Sequence, residues 1–247
     1  MKRPLLASIV VIAAWGWPAA CVSAGTGGSS QSGPTSVVAI DQDPHFHKLF
    51  ENPRVRVWLL ELGPGESTYL HHHLNDFLQI PLQSAWLAHA TERAQPVPFW
   101  PEPNARFIRG GFAHVLKNTD PKTLARIVEV EFLENVGVKR CGPEAQIACF
   151  CWGDIGGIIR QIGCGVLETD NLRVNQLQTG NGLSTLPTLV VAITNARIVG
   201  TASSQVRAMV LNPGQVAWVD TKGQSIAGPD EHSNPRTVTI EFKAPDR

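Results

Sequence analysis

An internal repeat limits the folds that this sequence of 247 residues can adopt. Similar blocks recur in the same order, and the second copy is six residues shorter between its first two blocks, because the offset falls from 117 to 111. Residues 51–67 match 168–184, residues 78–85 match 189–196, and residues 125–132 match 235–242. Two copies in tandem indicate two domains of one fold, since a solenoid needs about three repeats or more.

Both copies have the hydrophobic alternation of β-strands. Val55, Val57 and Leu59 alternate with the residues between them, and the same period of two runs through residues 127–132. Gly-Pro-Gly at 63–65 supplies a turn between such segments, and no helical pattern of comparable length competes. The sequence therefore predicts an all-β protein with two jelly-roll barrels in tandem.

The segment that is missing from the second copy contains three consecutive histidines. Side chains alternate between the two faces of a strand, so His71 and His73 share one face while His72 points to the other. Two imidazoles one strand step apart can bind one metal ion, and a third ligand must then come from a neighbouring strand. His114, which follows the glycines at 110–111, is the candidate for that ligand. A histidine pocket that holds no metal is the alternative.

These residues resemble two known motifs. Gly65 followed by His71-x-His73 is similar to the first half of the first cupin motif. Residues 109–118 resemble the second cupin motif, P-x-G-x-x-H-x-x-x-N, although Arg109 stands in the place of its proline. The chain is therefore similar to the cupin superfamily.

The resemblance is supported by motifs over residues 38–135, and it extends to 166–243 only through the internal repeat. It implies a bicupin whose N-terminal barrel binds a metal through His71, His73 and His114. The C-terminal barrel is then a degenerate copy without a metal.

The glutamate of the first motif is missing, because Phe77 and Leu78 occupy the positions where it is expected. Asp76 is close in sequence, but it falls on the opposite face of a regular strand. Asp76 and His89, which lies in an apolar run, are the two additional site candidates. We therefore expect a three-histidine site with open positions, similar to the three-histidine cupin dioxygenases. The cofactor is then one divalent transition metal ion, and neutral imidazoles suit iron, zinc, nickel, copper or manganese.

The N-terminal residues have the organisation of a signal peptide. Lys2 and Arg3 precede an apolar run at residues 4–17, and Val22-Ser23-Ala24 supplies small residues for cleavage. The run is shorter than the ~20 residues that a membrane-spanning helix needs. We expect export to a periplasmic or extracellular location, with lipid anchoring through Cys21 as a minor alternative.

Four cysteines remain in the folded part of the chain. In an oxidising compartment they predict two disulfide bonds, and three pairings remain open. A zinc site is less favoured, because only one C-x-C pair occurs and zinc knuckles are usually C-x-x-C. The candidates for the disulfides are Cys141, Cys149, Cys151 and Cys164.

These features predict five segments. Residues 1–24 are the signal peptide and residues 25–37 a flexible Gly/Ser-rich segment. The barrel with the metal motif spans 38–136, a Cys/Gly-rich connector spans 137–165, and the degenerate barrel spans 166–243.

The resemblance implies an exported metal-binding bicupin, with an iron(II)-dependent dioxygenase as the favoured enzyme and a small molecule as its substrate. Two alternatives stay open: a non-catalytic module that binds a small ligand or a metal, and a scaffold protein that dimerises through its sheet edges. The 21 basic and 21 acidic residues give a net charge of zero, so nucleic acid is not an expected partner. No membrane-spanning segment is expected in the mature chain.

Overall fold

The computed structural model describes most of the two repeats, and the predicted signal peptide, flexible segment and most of the connector lie outside it. The described residues are 36–91, 94–99, 105–134, 136, 149–150, 166–169, 171–178, 183, 185–202, 205–219, 224–228 and 235–243. Of the four predicted disulfide cysteines, only the backbone of Cys149 is included. The disulfide prediction therefore stays a prediction.

The first repeat and the connector contribute the strands β1 (Val38–Ala39), β2 (Phe46–Glu51), β3 (Val55–Leu62), β4 (His71–His73), β5 (Phe77–Pro81), β6 (Leu87–Thr91), β7 (Ala94–Phe99), β8 (Arg106–Ile108), β9 (Phe112–Asn118), β10 (Ala125–Phe132) and β11 (Cys149–Phe150). The second repeat contributes β12 (Val166–Glu168), β13 (Leu172–Gln178), β14 (Thr188–Ala192), β15 (Ala196–Ala202), β16 (Gln205–Leu211), β17 (Val216–Val219), β18 (Gln224–Ala227) and β19 (Arg236–Phe242). The helical structure in the described part of the chain is one 3-10 turn, Ile40–Gln42.

The strands form four sheets, two for each repeat. Sheet I has the order β1-β4-β9-β6-β7, and sheet II has the order β11-β8-β5-β10-β3-β2. Sheet III has the order β12-β13-β19-β14-β17, and sheet IV has the order β16-β15-β18. The predicted all-β fold with two tandem jelly-roll barrels is confirmed.

The sheet orders reproduce the internal repeat. The run β5-β10-β3-β2 of sheet II corresponds to β14-β19-β13-β12 of sheet III. One ion pair occurs in both copies at matching positions, between Arg56 and Glu131 at 3.3 Å and between Arg173 and Glu241 at 3.7 Å. The match in sequence therefore reflects a match in strand topology and register.

Sheets II and III pack against each other through their outer faces. Val57, Val128 and Val130 of sheet II belong to the same buried cluster as Val191 and Ile240 of sheet III. These side chains are completely buried, and full burial of one such side chain stabilises the fold by about 1.5–3 kcal/mol. The two repeats thus share one hydrophobic core between their barrels.

The interior of the first barrel has a separate apolar cluster. Trp58, Leu60 and Leu62 of β3 meet Leu87 and Leu116 of sheet I across the interior. The alternation in β3 therefore divides the strand between two cores, with one face lining the barrel and the other facing the second repeat. In the described part of the chain, no helix has the length and apolar character needed to cross a membrane.

Candidate metal centre

Sheet I brings three histidines together inside the first barrel. Strand β4 lies between β1 and β9, and its antiparallel register with β9 sets His71 directly opposite His114. His71 and His73 project to the interior, whereas the side chain of His72 lies on the other face and is only partly buried. The strand alternation and the tight turn before β9 thus explain why residues distant in sequence meet.

The three imidazoles converge through their Nε2 atoms. The distance from His73 Nε2 is 3.2 Å to His71 Nε2 and 3.0 Å to His114 Nε2. A metal–nitrogen bond of ~2.1 Å separates two ligand nitrogens by about 3.0 Å at a right angle and by about 3.4 Å at a tetrahedral angle. The observed separations therefore fit the donor set of a single transition metal ion, and the three residues form a candidate metal-binding group.

The backbone fixes the orientation of His71. Its Nδ1 atom donates to the carbonyl oxygen of Tyr69 at 3.0 Å, which leaves a lone pair on Nε2. The carboxylate of Asp43 lies 3.8 Å from the same Nδ1 and also accepts a hydrogen bond from the Tyr69 amide at 2.7 Å. This arrangement resembles the outer-sphere hydrogen bonding that orients metal-binding histidines.

Burial keeps the imidazoles neutral. The exposed fractions of His71, His73 and His114 are 0%, 1% and 2%. Burial, which disfavours the imidazolium, is the largest cause lowering the pKa of each ring, and the pKa values of His73 and His114 fall well below the usual value. Neutral imidazole is the form that binds a metal.

Aromatic side chains surround this cluster. The ring of Phe77 stacks on His73 with a centroid distance of 4.0 Å, and Phe112 lies 5.1 Å from His114. Phe46 meets His71 edge to face at 4.9 Å. These apolar contacts hold the imidazole planes and keep water away from the ring faces.

His89, one of the two additional site candidates, lies beside the cluster. It is 4% exposed, and its ring centroid is 4.8 Å from that of His114. Burial, together with the neighbouring His71, lowers the pKa of His89 to about 4. His89 therefore lines the site, although the group of three converging nitrogens does not include it.

Asp76, the other candidate, does not join the cluster. Its carboxylate accepts hydrogen bonds from Arg109 Nη1 and from the amide of Gly110, both at 2.9 Å. These contacts connect the loop after β4 to the turn before β9. In this structure Asp76 organises the loops around the site and does not approach the three Nε2 atoms.

Sequence analysis missed Glu129, the carboxylate that approaches the cluster most directly among the printed contacts. Its Oε2 atom lies 3.9 Å from His73 Nε2, across the barrel from sheet II to sheet I. Gln79 donates to the other carboxylate oxygen at 3.2 Å, and the side chain is 1% exposed. Burial raises the pKa of Glu129 to about 8. A glutamate in the centre of a buried strand was the available signal in the sequence.

The asparagine that ends the second motif has a structural position. Asn118 is completely buried, and its Nδ2 atom donates to the carbonyls of Leu62 and Thr123 at 2.9 and 2.7 Å. Its Oδ1 atom accepts from the amide of Asp120 at 2.9 Å. Asn118 therefore closes the turn after β9, and His114 is the residue of this motif that enters the site.

No family model matches the sequence, and no curated protein matches it either. The structure of salicylate 1,2-dioxygenase from Pseudoaminobacter salicylatoxidans, in adducts with gentisate, is similar with a TM-score of 0.51. It is 12% identical, and the match covers 84% of this chain and 75% of that one. At this identity the similarity establishes the fold.

Two further solved structures match. A cupin domain from Bordetella pertussis Tohama I is 23% identical over 35% of this chain and 90% of that chain, with a TM-score of 0.33. A variant of oxalate decarboxylase from Bacillus subtilis is 12% identical over 81% of this chain and 75% of that chain, with a TM-score of 0.46.

Proposed function

We propose that this chain, which has the cupin fold in two tandem barrels, is a metal-dependent enzyme that acts on a small molecule. Iron(II) and dioxygen are the chemistry we favour. The observation that carries the proposal is the convergence of three buried, neutral imidazoles on one point, with Nε2 separations of 3.0 and 3.2 Å. The residues that would hold the metal are His71, His73 and His114.

The geometry supports a cation more strongly than a structural histidine cluster. The Nε2 lone pair of His71 faces the other two nitrogens, because its proton is engaged at Nδ1. Converging lone pairs repel one another in a medium of low dielectric constant, and an ion among them reverses the sign of that interaction. Three neutral histidines fit iron, zinc, nickel, copper or manganese.

The side chains around the cluster would create a dry environment. Phe77 and Phe112 pack against the imidazoles, and Leu116 extends the apolar wall of β9 into the barrel. A transition metal bound here would supply Lewis-acid or redox chemistry to a small substrate. The protein would contribute the orientation of the ligands and the exclusion of bulk water.

Metal analysis of matched variants tests the proposal. Purified wild-type protein should bind one divalent ion per chain, and His71→Ala should abolish that binding. His72→Ala is the matched control, because the same side chain is removed from the same strand on the opposite face. Equal metal binding by wild type and His71→Ala would refute the proposed centre.

Oxygen uptake tests the catalytic part. Iron(II)-loaded wild-type protein should consume dioxygen with at least one member of a panel of small organic acids and phenols, and His114→Ala should not. A protein that binds the metal tightly but shows no turnover with this panel would instead support a non-catalytic binding module. A protein that binds no metal and keeps its partners after both substitutions would support a scaffold.

Export is also part of the proposal. The support is the order of the N-terminal sequence, in which Lys2 and Arg3 precede an apolar run and a small-residue cleavage site ending at Ala24. Expression of the full chain in a bacterium should give a periplasmic or secreted product that begins at Gly25. A product that begins at a lipid-modified Cys21 would indicate anchoring, and a cytoplasmic product that retains Met1 would contradict export.

A further inference from the structure

We infer that Glu129 is the fourth protein ligand of the metal centre, supplied by sheet II from across the barrel. This inference rests on the proposed function, because it assigns a further residue to the same metal site. It changes the ligand set from three neutral imidazoles to three imidazoles and one carboxylate.

The position of the carboxylate is the first argument. Glu129 Oε2 and His73 Nε2 are 3.9 Å apart, and both side chains are 1% exposed. One ion with bonds of ~2.1 Å to each atom can span a separation of up to about 4.2 Å. A metal that binds the three histidines therefore lies within the reach of Glu129 after at most a small side-chain adjustment.

The hydrogen bonding of Glu129 is the second argument. Gln79 holds Oε1, whereas Oε2 is buried without a hydrogen-bond partner among the described residues. Buried carboxylate oxygens are normally satisfied, because burial without a partner has a high cost in free energy. The oxygen that lacks a partner is the one that faces the histidines.

The backbone prevents another role at the surface. Glu129 lies in β10, with Gln79 of β5 on one side and Trp58 of β3 on the other. Both neighbouring strands hydrogen-bond to β10 and hold the residue in the middle of sheet II. The side chain therefore remains inside the barrel and cannot turn towards the solvent.

The second repeat provides an internal control. The matching blocks align Glu129 with Thr239 and align its neighbour Glu131 with Glu241. Glu131 and Glu241 each pair with an arginine at the same register position, so that carboxylate belongs to the fold of both barrels. The carboxylate at the Glu129 position occurs only in the copy that has the histidines. This association links Glu129 to the site and not to the fold.

The charge balance agrees with this assignment. A divalent ion held by three neutral histidines brings two positive charges into an apolar barrel. The carboxylate of Glu129 would neutralise one of them at the distance of a direct bond, where the low dielectric constant makes the attraction strong. Hard carboxylate oxygen together with imidazole also suits iron(II) and manganese(II).

The test measures metal binding and not activity. The full mature chain is stripped of metal and titrated with cobalt(II) in competition with a chromophoric chelator, and the visible spectrum of the bound cobalt is recorded. Glu129→Gln keeps the shape of the side chain and removes its charge. We expect its affinity to be lower by ~10-fold or more, the size typical for residues around a metal, and its cobalt spectrum to differ from that of wild type.

Glu131→Gln is the matched control, because it removes a carboxylate from the same face of the same strand, where Arg56 and Asn75 bind it. It should change the affinity less than about 3-fold and leave the cobalt spectrum unchanged. Glu129→Asp, which withdraws the carboxylate by one methylene, should have an affinity between those of Glu129→Gln and wild type. It provides the same test if Glu129→Gln does not fold.

Three results would overturn the inference. They are an unchanged affinity and spectrum in Glu129→Gln, a weaker affinity with an unchanged spectrum, and an equal loss in Glu131→Gln. In each case the wild type still binds one metal that His71→Ala removes, so the proposed function survives. Absence of metal binding by the wild type would instead refute the proposed function itself.

Discussion

Replacing Gly110 by alanine is expected to destabilise the protein and to weaken its metal site together. Gly110 packs directly against the backbone of Asn75, in the loop that follows the strand with His71 and His73. A Cβ atom at position 110 would lie 2.9 Å from the Asn75 Cα atom and closer still to its carbonyl group. The neighbouring Gly111 amide donates to the carbonyl of His73 at 2.7 Å, so the two segments are also hydrogen-bonded.

The magnitude follows from the contact distances. Ordinary van der Waals contact of a Cβ atom begins at 3.4 Å, so the backbone of Asn75 must move by at least 3.4 − 2.9 = 0.5 Å. Overpacking of this kind costs about 1–3 kcal/mol, and a loss of about 2 kcal/mol lowers Tm by roughly 4–8 °C for a protein of this size. A displacement of ~0.5 Å also reaches the tolerance of a metal site. We therefore expect the metal affinity of Gly110→Ala to fall by ~10-fold or more.

Thermal unfolding by circular dichroism and chelator competition measure the two effects. Gly65→Ala is the matched control: Gly65 has a φ of +81°, and its added Cβ would meet no atom within 4 Å. The left-handed backbone should make that substitution cost about 1–2 kcal/mol without moving the site, so its metal affinity should stay at the wild-type value. The reasoning is refuted if Gly110→Ala unfolds within about 1 °C of wild type, or if Gly65→Ala weakens metal binding equally.

Three other measurements address the fold. Asn118→Ala removes three buried hydrogen bonds and should lower the free energy of unfolding by about 2–4 kcal/mol while one metal per chain still binds; loss of the metal from folded protein would contradict its structural role. Phe132→Ala should cost about 3–5 kcal/mol in denaturant unfolding, because the ring is 2% exposed in the core that the two repeats share, and a cost below about 1 kcal/mol would argue against that shared core. Alkylation of the denatured mature protein should label no cysteine before reduction and all four afterwards, whereas labelling before reduction would contradict the two predicted disulfides. The cysteines concerned are Cys141, Cys149, Cys151 and Cys164.

The sequence was sufficient to predict the fold class because two signals agreed. The period of two in the strands specified β-structure, and the repeat specified that it occurs twice. The convergence of the histidines also followed from local rules, since His71 and His73 must share a face of any regular strand. The turn at Gly110 and Gly111 then gave β9 the register that sets His114 opposite His71.

The position of Glu129 did not follow from these rules. Alternation in β10 separates Val128 and Val130 from Glu129 and Glu131, but it does not specify which face points into the barrel. An apolar face usually indicates the interior, yet here it packs against the second repeat. Only the three-dimensional arrangement of two barrels turns the glutamates inward, so the sequence alone gave no reason to place a carboxylate beside the histidines.

The same arrangement accounts for the presence of a second barrel that lacks the histidine motif. If the first barrel stood alone, its outer face with Val57, Val128 and Val130 would be exposed to water, although each of these side chains is 0% exposed in the complete chain. The second repeat covers that face, and this role depends only on its outward-facing residues. Its inward-facing positions are free to differ, and Thr239 stands there where the first copy has Glu129. Packing and chemistry thus use opposite faces of the same strands, which allows one copy to hold the candidate metal centre while both copies retain the contacts that stabilise the fold.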